Sequence, residues 1–208
     1  MRQKIIFATG NEGKMREVKE ILRDMDVEVL SMKEAGIETE IEEDGSTFED
    51  NAVIKAKAVA AAAGQSGAIV LADDSGLEID YLNKEPGIYS ARYLGENTSY
   101  AVKNQNLIDR LKGVPDHERT ARFVCVIAAA LPDGKVITAR GVIEGRIDHE
   151  EKGSGGFGYD PIFYVPELGR TTAQLDMEEK NRVSHRARAL NAMKTELKKV
   201  LSEKRADM

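Results

Sequence analysis

Two short segments carry residue types and spacings that suit phosphate chemistry. Thr9-Gly10-Asn11-Glu12-Gly13-Lys14 lies between an apolar run and a helical pattern. A helix N-terminus offers N–H groups without intrahelical partners and a partial positive charge. The two glycines let backbone approach a ligand closely, and Lys14 adds a full charge for phosphate. This is not a P-loop, since Ala8 stands where the first glycine belongs and Met15 where serine or threonine belongs. The plain alternative is a glycine-rich turn with a solvated lysine. Ala72-Asp73-Asp74-Ser75-Gly76 follows an apolar strand-like run. Ligands gather at the carboxyl ends of strands in open α/β sheets, and carboxylates there suit Mg²⁺, which prefers hard oxygens and keeps several waters. Adjacent strand residues point to opposite faces, so one aspartate of the pair faces any given metal. The alternative is a polar turn in which Asp74 or Ser75 caps backbone.

Three further segments could contribute. Glu40, Glu42, Glu43 and Asp44 form an acidic stretch that is either solvated surface or the source of a second metal carboxylate. Asn51 and Lys55 stand four apart, on one helix face, where they could meet a phosphate. Gly155-Gly-Phe-Gly-Tyr-Asp-Pro161 places dense glycines around two aromatics. That suits a loop closing over a flat ligand, where a phenyl ring stacked on a base is worth about 1–3 kcal/mol; otherwise Phe157 and Tyr159 anchor the loop to the core. In Lys180-Asn-Arg-Val-Ser-His-Arg186, Ser184 can cap the last helix, leaving His185 and Arg186 in its first turn. Cations there oppose the helix dipole by roughly 0.3–1 kcal/mol each, so their placement suggests an anion or carbonyl partner. His117 and His149 lack ligand-like spacing, and with one cysteine no zinc site is expected.

The elements that must position these groups follow from periodicity. Lys4–Ala8 reads as a buried strand and Val27–Leu30 as a second, with an amphipathic helix over Gly13–Met25 marked by Met15, Val18, Ile21, Leu22 and Met25. Ser31–Gly45 reads as irregular. Thr47 with Asp50 resembles a capping box opening a helix to Ala63, stopped by Gly64. Ala68–Ala72 reads as a strand ending at Asp73, with Leu77–Leu82 another. A helix is expected over Ser99–Leu111, and a hairpin pairs Thr120–Leu131 with Val136–Gly145 across Pro132-Asp133-Gly134. Gly153–Gly158 is a loop, and Leu190, Met193, Leu197, Val200 and Leu201 mark a terminal helix. The result is an α/β chain with a mixed sheet flanked by helices.

Composition bounds the partners. At 208 residues with 41% hydrophobic content, the chain suits one large α/β domain or one domain with two lobes. A net charge of −6 argues against general affinity for nucleic acid. Lys198, Lys199 and Lys204 read as a solvated helix face, and Ser202–Met208 as a tail. Cys125 is expected to be a buried core residue, its solitude fitting a reducing cytosol. No signal-peptide pattern or long apolar run occurs, so a cytoplasmic protein with no membrane partner is expected.

Together the segments resemble the inosine triphosphate pyrophosphatase family, also called Ham1-like. Thr9-Gly-Asn-x-x-Lys14, Thr47-Phe-x-x-Asn-Ala52, Ala72-Asp-Asp-Ser-Gly76, Pro86-Gly-Ile-Tyr-Ser-Ala-Arg92, Phe157-Gly-Tyr-Asp-Pro161 and Ser184-His-Arg186 occur in the family's order, over about Lys4–Leu201. The resemblance implies one domain with an elongated mixed sheet, two lobes with a substrate cleft between them, and a homodimer. It implies hydrolysis of ITP, dITP or XTP to the monophosphate and pyrophosphate with Mg²⁺. Thr9–Lys14 would bind the triphosphate. Asp74 would be general base and metal ligand, with Glu43, next to Glu42, as the other metal carboxylate. Ser75 would contact substrate, Phe157 would stack on the base, and Gly158, Tyr159 and Asp160 would line its pocket. Lys180, His185 and Arg186 would meet its polar edge. Rival readings are a Maf-like pyrimidine nucleotide pyrophosphatase, separated by assaying ITP against dTTP and UTP, and a nucleotide sensor without turnover, which would release no pyrophosphate.

Overall fold

Gln3–Phe7 forms β1, which pairs in parallel with β2 (Val27–Ser31) on one side and β3 (Ile69–Ile79) on the other. Parallel neighbours need crossovers, supplied by α1 (Glu12–Leu22) and α2 (Phe48–Ala63). The chain continues through α3 (Tyr100–Arg110), β4 (Thr120–Ala130), β5 (Val136–Ile147), β6 (Phe163–Val165), β7 (Arg170–Thr171), α4 (Met177–Val183) and α5 (His185–Ala206). The seven strands lie in the order β2-β1-β3-β4-β5-β6-β7, with β5, β6 and β7 antiparallel, so the sheet is mixed as expected. This computed structural model describes residues 2–206. Met1, Asp207, Met208 and the side chain of Lys204 lie outside the described residues. Among the described residues, no helix is long and apolar enough to cross a membrane.

The chain divides into two compact units, with boundaries inside β3, β4 and β5. The first comprises residues 1–74, 125–141 and 186–208. Its core joins Ile5 and Phe7 of β1, Met15, Val18 and Leu22 of α1, Ile69 and Leu71 of β3, and Leu190, Met193 and Leu197 of α5. The spacing that marks α1 and α5 in the sequence is therefore the spacing that is buried. Cys125 lies in this core. The second unit comprises residues 75–124 and 142–185, around Leu77, Ile79, Leu107, Phe123, Ile143, Ile162 and Phe163.

Two elements differ from expectation. The aspartate pair does not end a strand: β3 runs unbroken from Ile69 to Ile79, with Asp73-Asp74-Ser75-Gly76 inside it. The reason is that β3 outlasts β1. Pairing with β1 stops where Ala8 N–H donates to Leu71 O (2.7 Å). Farther along, the chain's own next segment satisfies β3: Leu77 N–H donates to Ser90 Oγ (2.9 Å) and Ile79 N–H to Glu85 O (3.2 Å). The second difference is that α5 continues to Ala206, through most of the expected tail.

Candidate active site

The strand-to-helix turn after β1 is ordered by its own side chains. Thr9 Oγ1 accepts Asn11 N–H (3.1 Å), and Asn11 Oδ1 caps α1 by accepting Lys14 N–H (3.1 Å). Glu12 and Gly13 begin the helix. Thr9, Gly10 and Lys14 line a cavity of about 350 Å³ together with Glu43, Lys55 and Asp73. The sequence patterns Thr9–Lys14 and Glu43 thus meet at one place.

Strand alternation sorts the two aspartates. Asp73 shares parity with Ile69 and Leu71, which face α1 and α5, and Asp74 shares parity with Val70 and Ala72. Asp73 accordingly takes its cations from α1 and α5: Lys14 Nζ at 2.8 Å and Arg186 Nε at 3.6 Å, with Arg186 also paired to Glu17 of α1 at 2.8 Å. Asp74 takes its partners from α2: Asn51 Nδ2 donates to it at 3.2 Å and Lys55 Nζ at 3.3 Å. Burial would raise the Asp73 carboxyl, but Lys14, Arg186 and Lys55 outweigh it and hold it well below the usual carboxylate range. At Asp74 burial wins. Lys55 and Asn51 pull its pKa down, Glu43 pushes it up, and it stays raised.

Asn51 and Lys55 connect Asp74 to the acidic loop. Asn51 Oδ1 accepts Gly45 N–H at 2.9 Å, a close approach that only glycine permits, since a Cβ at Gly45 would fall 2.6 Å from that oxygen. Lys55 Nζ lies 3.2 Å from Glu43 Oε2 while also reaching Asp74. Asp74, Asp73 and Glu43 outweigh the desolvation of Lys55 and raise its pKa. Glu43 is half-buried, whereas Glu42 is exposed. Two hard carboxylates converging on one cation suit Mg²⁺, which is commonly held by one or two carboxylates plus substrate phosphates. Among the described residues no cluster of three or more His, Cys, Asp or Glu that could hold a metal ion is found.

The glycine-rich segment belongs to the second unit. Asp160 is 3% exposed, and its carboxylate accepts Phe157 N–H (2.8 Å), Lys180 Nζ (2.6 Å) and Thr172 Oγ1 (2.7 Å). Gly156 has φ +72°, and a Cβ there would collide with Asp160 Oδ2. Phe157 is 43% exposed, with Lys180 Nζ 4.9 Å from its ring centre. His185 stacks on Phe123 at 4.8 Å. The structure therefore joins Lys180 to Phe157 and Asp160, but brings the Arg186 guanidinium to Glu17 and Asp73. Ser75 sits half-buried in β3, next to Asp74. Asn51 and Lys55 had been legible only as an i, i+4 pair, and Asp73 only as a neighbour of Asp74.

A mixed sheet with a capped, lysine-bearing βα turn and convergent carboxylates beside it defines an α/β protein with one candidate site at that turn. The chain belongs to the Ham1 family, which it matches over residues 5–196. It is 48% identical over 202 residues to a dITP/XTP pyrophosphatase of Clostridium perfringens, covering 96% of this chain and 99% of that protein. It is 53% identical over 187 residues to one of Desulforamulus reducens, covering 90% and 92%. A solved HAM1 protein of Coxiella burnetii superposes with a TM-score of 0.85 at 43% identity, covering 95% of this chain and 99% of that one.

Proposed function

We propose that this chain is a Mg²⁺-dependent pyrophosphohydrolase that converts dITP, XTP and ITP to the monophosphate and pyrophosphate. The observation that carries the reading is the pairing of a cavity at Thr9–Lys14, lined by Lys14 and Lys55 with Asp73 and Glu43, with the Glu43–Lys55–Asp74 chain of charge; the names of the relatives support the substrate class. Cleavage between the α- and β-phosphates needs negative charge neutralised and a water aimed in line. Lys14 and the α1 N-terminus bind the triphosphate, with Arg186 behind Asp73 adding positive charge. Asp74 takes the proton from the attacking water: burial makes it a better base than an exposed aspartate, while Lys55 favours its ionised form. Glu43 and Asp74 would hold Mg²⁺, which when bound neutralises charge on the phosphoryl oxygens. Ser75 contacts substrate, Phe157 stacks on the base, and Gly158 and Tyr159 shape its pocket. Lys180 and His185 supply donors that a 6-oxo purine accepts and adenine does not.

The two units act as lobes of one domain, since β3, β4 and β5 are common to both. The family resemblance supports a homodimer acting in the cytoplasm. The test is a nucleotide panel with Mg²⁺ and separate detection of phosphate and pyrophosphate. ITP, dITP and XTP should give pyrophosphate and outrun ATP. Release of orthophosphate with the nucleoside diphosphate would place cleavage at the γ-phosphate and refute the reading.

A further inference from the structure

The segment Pro86-Gly-Ile-Tyr-Ser-Ala-Arg92 has no part in the chemistry above, yet Ser90 lies at a junction of the second unit. It is 5% exposed. Its hydroxyl accepts Leu77 N–H at 2.9 Å and donates to Gly87 O at 2.6 Å. Its carbonyl accepts the Tyr159 hydroxyl at 2.6 Å. One residue thus satisfies the β3 edge just beyond Ser75-Gly76 and receives the side chain at the centre of the aromatic loop. The remaining restraints on that loop are equally specific. Tyr159 packs edge-on against Tyr100 with ring centres 5.2 Å apart, Asn104 Nδ2 donates to Gly158 O at 3.3 Å, and Asp160 accepts Phe157 N–H. Phe157 itself is partly exposed, while Asp160, Tyr159 and Gly158 behind it are held by these contacts.

We infer that Ser90 is a positioning residue for base recognition: its hydroxyl, bonded to Leu77 N–H and Gly87 O, sets its backbone carbonyl where it accepts the Tyr159 hydroxyl, and that bond holds the Phe157 loop in the geometry that receives a purine, without Ser90 touching the ligand. This rests on the reading that Phe157 stacks on the base. Pre-set loops lower the ordering cost of binding, so losing the latch should weaken base-dependent affinity and leave phosphate-dependent affinity intact. Loss of the Ser90 hydroxyl keeps the carbonyl that Tyr159 uses but takes its anchors, Leu77 N–H and Gly87 O, away, so Tyr159→Phe, which removes the latch bond itself, must be tested beside it.

The experiment measures equilibrium binding of ITP, and of inorganic tripolyphosphate as a base-free probe, by calorimetry without Mg²⁺, alongside Mg²⁺-dependent turnover. Ser90→Ala and Tyr159→Phe should each raise Kd for ITP about tenfold, in keeping with loss of a buried hydrogen bond, with tripolyphosphate binding unchanged; Ser90→Ala should also keep kcat within about twofold. Ser90→Thr, which restores the hydroxyl, should return Kd towards wild type. Acting through one latch, the Ala and Phe changes together should cost no more than the larger alone. Equal weakening of ITP and tripolyphosphate, or unchanged ITP binding in both single variants, overturns the inference. If the wild-type protein binds ITP without turnover, the enzymatic reading fails while the Kd series still decides this one. If it turns ITP over and the Kd series is flat, the reverse holds.

Discussion

Asp73 and Asp74 are adjacent on one strand, yet the two faces of β3 treat them differently. The face towards α1 and α5 surrounds Asp73 with Lys14 and Arg186, and the carboxylate is held ionised by more positive charge than it carries. The face towards α2 gives Asp74 one ammonium, Lys55, which it shares with Glu43. With Glu17 sharing Arg186, charge balances on the first face, whereas positive charge is short on the second. The first is therefore built to hold a fixed anion or share its cations with an incoming one. The second keeps a desolvated carboxylate ready to take a proton or a divalent cation. A difference of one residue in a period-2 element is enough to give neighbouring carboxylates opposite electrostatic surroundings.

The sharpest way to break this comparison is to neutralise each carboxylate separately. Asp74→Asn should lower kcat on ITP by about 10²–10⁴, the range for loss of a general acid–base group. Its unfolding midpoint in urea should stay near that of wild type, because a buried charge is removed along with its Lys55 contact. Asp73→Asn should do the opposite. Breaking a buried ion pair on one side costs about 3–5 kcal/mol, and Arg186 and Lys14 both lose the Asp73 charge. Denaturant titrations and steady-state kinetics on both variants decide the matter. If Asp74→Asn is the destabilised protein and Asp73→Asn the one that stops turning over, the two roles are exchanged.

A smaller effect tests the acidic loop. Glu43→Gln should raise the Mg²⁺ needed for half-maximal rate by at least about tenfold, the lower end of what losing even an outer partner of a metal site costs. Glu42→Gln should leave the requirement unchanged, since Glu42 is exposed and Glu43 reaches Lys55. A Mg²⁺ titration in which Glu42→Gln is the impaired variant would move the carboxylate by one position.

Much of this was legible in the sequence because it is local. Met15, Val18 and Leu22 repeat at helical spacing and are buried at that spacing, and Thr47 caps α2 by accepting Asp50 N–H at 3.0 Å. Asn51 and Lys55 could be placed on one face, though not against Asp74. What escaped was non-local. A strand through Asp-Asp-Ser-Gly reads as a turn until Ser90 and Glu85 are known to satisfy its far half. Arg186 reads as a first-turn cation that wants an anion or carbonyl partner, and the family resemblance implied a base edge; its carboxylate partners Glu17 and Asp73 are 169 and 113 residues away, and no local pattern announces them.

The finest test is titration of the two carboxylates in the same protein, followed by carboxyl NMR without added metal. Asp74 should titrate above the ordinary value of 3.8 because burial and the Glu43 charge disfavour its ionised form. Asp73 should remain ionised throughout, because its cations depress its pKa. The signs for stability are opposite. Asp73 contributes stability that is present above its unfolded pKa and lost as pH falls through its depressed folded value. Asp74 costs stability while ionised, and that cost is relieved as pH falls through its raised folded value. Glu43→Gln removes a repelling charge and leaves Lys55 to act on Asp74 alone, so the Asp74 midpoint should move down, by less than about one unit for a single partly exposed neighbour. An Asp74 midpoint at or below 3.8 in the wild-type protein would show that Lys55 and Asn51 outweigh burial, and the two faces of β3 would then differ in partners but not in the state of their carboxylates.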